Sequence, residues 1–179
     1  MRKTYRVLLI AAVFILAAAS IAGGFNVYNA KMSGEFEVPI NNSPAMGKAI
    51  FRVSGDGTQI YYKLIVNDID NVFMSHIHLA AAGQNGPIVV WLYPDTPNPP
   101  DPTPPNSWIP GTFNGKLASG VITADNLVGP LAGAPLSDLI SAMQSGNAYV
   151  NVHTNDFVAP TNTGPGDFPG GEIRGQIFK

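Results

Sequence analysis

Apolar and polar residues alternate with a period of two along most of this chain, in short runs. "KAIFRV" (48–53) and "TQIYYKLIV" (58–66) flank Gly55-Asp56-Gly57, a segment that tolerates positive φ, so they read as two antiparallel strands joined by a hairpin. "GEFEV" (34–38) precedes them as a further strand, separated by the turn cluster "PINNSPAMG". "VFMSHIHLA" (72–80) and "PIVVWLY" (87–93) follow, connected by "AAGQNG", and "TFNGKLASGVI" (112–122), "NAYVNVHT" (147–154) and "GEIRGQIF" (171–178) bring the total to about eight strands. One segment changes period. In "PLSDLISAMQSG" (135–146), Leu136, Leu139, Ile140 and Met143 fall at i, i+3, i+4 and i+7, and Gly146 can adopt the left-handed conformation that stops a helix. One short helix near 136–145 follows. Short strands at regular spacing predict an all-β fold, an antiparallel Greek-key β-sandwich.

Two segments break the alternation. "PDTPNPPDPTPPNSWIPG" (94–111) is too rich in proline to join a ladder, because proline has no amide donor, and it is read as an extended surface insertion. At the amino terminus Arg2, Lys3 and Arg6 precede the uncharged run Val7–Phe25, the pattern of an export signal. Ser20-Ile21-Ala22 offers small residues for cleavage. The run is also about long enough to span a ~30 Å hydrocarbon core at 1.5 Å per residue. Residues 1–24 are thus a signal peptide or an amino-terminal membrane anchor, 25–31 a linker and 32–179 the folded domain.

Composition narrows the function. Ten Lys and Arg stand against 12 Asp and Glu, for a net charge of −2, which excludes a nucleic-acid footprint. An exported chain with no cysteine has no disulfide and must be held by its core. Asn41-Asn42-Ser43 makes Asn41 a candidate glycosylation acceptor.

Only three histidines occur, and two form "HIH". On a strand, residues i and i+2 project from one face about 6.5 to 7 Å apart, so His76 and His78 share a face while Ile77 and Leu79 take the other. Two imidazoles at that spacing can converge on one metal. His153 is the only further histidine, on the face of its strand that carries Asn147, Tyr149 and Asn151. Spacing alone does not bring it to the pair, and exposed histidines on a solvated sheet face are the competing reading. Glu172, Arg174 and Gln176 alternate as in any half-exposed closing strand, Trp91 reads as core, and Asp125 as the start of a turn or short helix.

"SHIHLAAAGQNGPIVVWLY", "GVITADNLVGPLAGAPLSDLISAMQSGNAYVNVHT" and "PGGEIRGQI", in that order, closely resemble the CHRD domain, the module named after chordin and also found in microbial exported proteins. The resemblance covers residues 32–178, with 94–111 as an insertion. It implies a β-sandwich outside the cell acting as a binding or matrix module, with no defined catalytic reaction. The order of strands, "HIH", "VNVHTND", a glycine-rich loop and "GGEIRGQI" is similar, more weakly, to copper-zinc superoxide dismutases. That similarity implies His76, His78 and His153 as copper ligands and Arg174, or Glu172 in its place, beside them. No histidines remain for the bridge or the zinc half, so dismutase chemistry with a bridging imidazolate is not expected. What survives is a mononuclear three-histidine site suited to copper or zinc.

The sequence therefore predicts an exported module engaging an unidentified extracellular protein or cell-surface material, with a three-histidine metal protein as the alternative.

Overall fold

A computed structural model describes residues 25–95 and 106–179. The expected signal or anchor (1–24) and the middle of the proline-rich segment lie outside the described residues. Seven strands form: β1 (Asn26–Ser33), β2 (Met46–Val53), β3 (Ile60–Leu79), β4 (Ile88–Tyr93), β5 (Ile109–Ile122), β6 (Ala148–Thr154) and β7 (Ile173–Gln176). Among the described residues one α-helix forms, α1, which spans Leu136–Gln144 and buries Leu136, Leu139 and Met143 of the stripe its period predicted.

All strand pairs are antiparallel. The order is β2-β1-β7-β6-β3-β4, and β2 also pairs β3, so β1, β2, β3, β6 and β7 close into a ring while β5 lies along β3. The all-β sandwich is therefore what forms, with a barrel-like closure. β3 is the spine. Its first half pairs β2 and β5 and its second half pairs β6 and β4. The change of partners falls where Asp68 and Asn71 take positive φ and the β3–β5 register shifts, a local bend that lets one strand serve both walls. Between the walls the core gathers Phe51, Ile60, Leu64, Ile77, Val150, Val152 and Ile173 with the apolar side of α1. Among the described residues the core runs from Tyr28 to Ile177.

Four boundaries differ from the sequence reading. Residues 25–31 are no linker, because β1 begins at Asn26 and pairs β2 along its whole length. "GEFEV" is no strand: Gly34–Phe36 make a 3-10 turn, with the Glu37 and Asn41 amides returning to the Gly34 carbonyl. The runs at 58–66 and 72–80 are one strand, which reduces the count from about eight to seven. The proline-rich segment also ends sooner than 111, since Ile109 already pairs Val72.

Candidate metal centre

The site grows from one register. In the β3–β6 ladder Met74 faces His153, His76 faces Asn151 and His78 faces Tyr149, while Ile77 faces Val150 across the core side. The period of two then sends His76, His78, Tyr149, Asn151 and His153 together to the outer face. His153 is diagonal to His76, within reach of long side chains on neighbouring strands. The three rings gather with centroids 5.0 Å (His76 to His153), 5.5 Å (His76 to His78) and 6.1 Å (His78 to His153) apart. Each offers one nitrogen, and these three atoms lie within 4.8 Å of one another.

Loops roof this face, so the histidines are buried rather than solvated: His76 is fully enclosed, and His78 and His153 are 8% and 6% exposed. The roof also sets the tautomers. His78 Nδ1 lies 2.9 Å from the Gly86 carbonyl and His153 Nδ1 2.9 Å from the Pro169 carbonyl. A carbonyl only accepts, so both Nδ1 atoms donate and both Nε2 atoms carry the lone pair. His78 Nε2 is buried, with the Asn151 side chain nearby but outside hydrogen-bond geometry, and has no hydrogen-bond partner among the described residues. His76 Nδ1 donates to His153 Nε2 at 3.1 Å, which leaves the His76 lone pair on Nε2, a second buried nitrogen without a partner.

Electrostatics keep the rings neutral. Burial, then the neighbouring His153 and His78, push His76 down to about 2. Burial and His78 push His153 down to about 4, against the opposing Pro169 bond. Burial and the Arg174 charge lower His78, partly offset by its hydrogen bonds. Neutral imidazole is the form that ligates, so an ion entering near neutral pH displaces few protons.

Aromatic rings wall the site. Trp91, opposite His76 on β4, sets its ring perpendicular to the imidazole at 4.2 Å, which makes it part of the site wall rather than core. Phe73 meets His153 edge-on and Phe157 stands behind it. Tyr149 stacks on His78 at 4.8 Å with planes 10° apart, and the Arg174 guanidinium covers the same ring at 3.4 Å from its centroid.

Arg174 and Glu172, expected on a half-exposed strand, are both buried. Arg174 donates to the Asn85 side chain and to the Gln84 and Ala81 carbonyls, so it pins the 81–85 loop, while its guanidinium covers Tyr149 and its charge lowers His78. Glu172 accepts from the Ser43 and Thr154 hydroxyls and the Gly166 amide, tying three segments of the roof. Its carboxyl is raised by burial, against the lowering effect of those bonds. Asn41, the glycosylation candidate, is part of the same roof. Its amide nitrogen, the atom a glycan would occupy, donates to the Gly171 and Glu172 carbonyls, and its oxygen accepts from the Ser43 amide. Asp125 lies in a 3-10 turn, as read.

Glu37 was missed. It is 5% exposed, with Oε1 unpartnered, and burial raises it to about 7 despite the nearby Arg174. As the fourth residue of "GEFEV" it reads as an outward strand position, and no spacing signal marks it.

Fold and site together define a class: an antiparallel β-sandwich with a roofed, buried cluster of three neutral histidines on one outer face. The CHRD domain family model matches residues 28–160, and the chain belongs to that family. Membership supports an extracellular binding or structural module in general terms. No curated protein and no solved structure matches the chain.

Proposed function

We propose that this chain is an exported CHRD-domain binding module that holds one metal ion on His76, His78 and His153, copper foremost and zinc as the alternative. One observation carries the reading: the buried, unpartnered Nε2 of His78, in a cluster of three histidines whose ligand atoms lie within 4.8 Å of one another. Leaving such an acceptor unmet costs about 1–3 kcal/mol, which coordination removes. The donor chemistry fits. Three imidazoles without thiolate suit copper or zinc, and divalent copper binds more tightly than zinc at a given nitrogen site. A bound ion would supply a Lewis-acidic position open to water or a small ligand. The protein's own part is to fix tautomers through the Gly86 and Pro169 carbonyls and to shield the rings with Trp91 and Tyr149.

A dismutase reading has less support, since only three histidines exist and the Arg174 donors are taken by the 81–85 loop. Export, with residues 1–24 as signal or anchor, rests on the sequence pattern; among the described residues no helix is long and apolar enough to cross a membrane.

The test is metal content by mass spectrometry after equilibration with equal copper and zinc. About one ion per chain is expected, with H76A/H78A holding none. A wild-type protein that retains no metal at micromolar concentration ends the reading, and equal retention by the variant shows the ligands to be wrong.

A further inference from the structure

We propose that the opposite outer face, formed by β1, β2, the first half of β3 and β5, docks on an anionic lipid surface. The inference is independent of the histidine site. Of the seven lysines and arginines in residues 25–179, five stand exposed on these strands: Lys31, Lys48, Arg52, Lys63 and Lys116. Of the other two, Arg174 is buried and Lys179 ends the sequence. The register places the five on one side. Lys31 faces Lys48, Lys48 faces Ile65, Ile65 faces Lys116 and Arg52 faces Tyr61, while the alternating Ala30, Ala49, Phe51 and Leu64 turn to the core.

No carboxylate holds an outward position among them. Glu35, Asp56, Asp68 and Asp95 lie at the margins, in a 3-10 turn beside Lys31, a hairpin turn, a register shift and the chain after β4 beside Val121. Among the described residues the exposed cations, Lys179 apart, thus gather on one face. Lys31 directly opposite Lys48 is a like-charge pair, unfavourable to the sheet itself, and an anion bound from outside would relieve it.

Apolar side chains share the face. Val27, Arg52, Tyr61 and Val121 are consecutive cross-strand partners, with Val27, Tyr61 and Val121 all exposed, and the exposed Phe25 ring meets Tyr61 edge-on at 6.2 Å. The apolar run Val7–Phe25 joins the domain at this corner, and β1 begins one residue later with no spacer. Basic residues reaching for phosphates beside aromatic and aliphatic ones at the acyl boundary is the chemistry of a bilayer interface. An acidic polysaccharide would engage the cations and leave Phe25, Val27 and Val121 without a role.

The experiment labels lysines of the full chain with a soluble amine-reactive ester in lipid nanodiscs of phosphatidylcholine alone or with about 30 mol % phosphatidylglycerol. Lys31, Lys48, Lys63 and Lys116 are expected to react at least about threefold more slowly than Lys179 in the anionic discs only, with the protection lost near 1 M salt, where screening acts within ~3 Å. In K48Q/K63Q the protection of Lys31 and Lys116 is expected to disappear. Equal reactivity in both bilayers overturns the proposal, as does protection that survives in K48Q/K63Q. Protection by soluble polygalacturonate without protection by anionic lipid overturns it in favour of a polysaccharide.

Discussion

The two outer faces of this sandwich share strand β3 and differ in almost everything else. On the second half of β3, with β4, β6 and β7, the outward residues are His76, His78, Asn151, His153 and Arg174, and loops cover them until each is at least nine-tenths buried. On the first half, with β1, β2 and β5, the outward residues are Lys48, Arg52, Tyr61, Lys63 and Val121, all exposed. One strand thus carries alternating polar residues in both halves with opposite outcomes. Alternation reports that a residue points away from the core; only the chain lying above it decides whether it meets water.

That difference can be broken where it is largest. Changing His76 and His78 to alanine should weaken metal binding by at least about a hundredfold, while K48Q/K63Q should leave it within about twofold; titration of each protein with copper under a competing chelator reads both. Glu172→Ala should cost about 3 kcal/mol or more, because the Ser43 and Thr154 hydroxyls and the Gly166 amide lose a buried acceptor together. The matched change on the bare face, Lys63→Ala, should stay within about 0.5 kcal/mol. Urea denaturation of the metal-free proteins distinguishes them, and a small effect of Glu172→Ala would show that the roof does not depend on that carboxylate.

A smaller effect, confined to the buried groups of the roofed face, is read by pH. His76, His78 and His153 are depressed in the folded, metal-free protein, so below about 6.5 the unfolded chain takes up protons that the fold refuses, and the stability they confer is lost as pH falls toward 4. Glu37, raised to about 7, works in the other direction: its contribution is fully present below about 4.5 and is lost as pH rises through 7. Glu37→Gln should therefore steepen the loss of thermal stability between pH 6.5 and 4.5, and H76A/H78A should flatten it. Unchanged slopes in both variants would contradict the assigned burial.

How much was legible follows from the same residues. The His76–His78 pair was readable because both sit on one strand, and the strand period alone aligns them. The arrival of His153 was not readable from spacing, because it depends on the pairing of Met74 with His153 across nearly eighty residues of chain. Only the weaker similarity to copper-zinc superoxide dismutases anticipated it. The "GEFEV" alternation misled because Gly34 and Phe36 close a 3-10 turn, and that error concealed Glu37. β1, "NVYNAKMS", was passed over because Asn29 and Lys31 dilute its apolar residues, yet Tyr28, Ala30 and Met32 keep a strict inward period. Arg174 and Glu172 were seen as alternating strand residues, correct for the backbone of Arg174 alone, since β7 begins at Ile173, and wrong for solvent in both, since the roof above them is built from segments distant in sequence.

The central claim is that three strand histidines converge on one ion, and X-ray absorption of the copper-loaded chain tests it most directly. The account predicts one copper per chain with three imidazole nitrogens at about 2.0 Å. A copper shell with fewer than three imidazoles, or one that is unchanged in H76A/H78A, would contradict it.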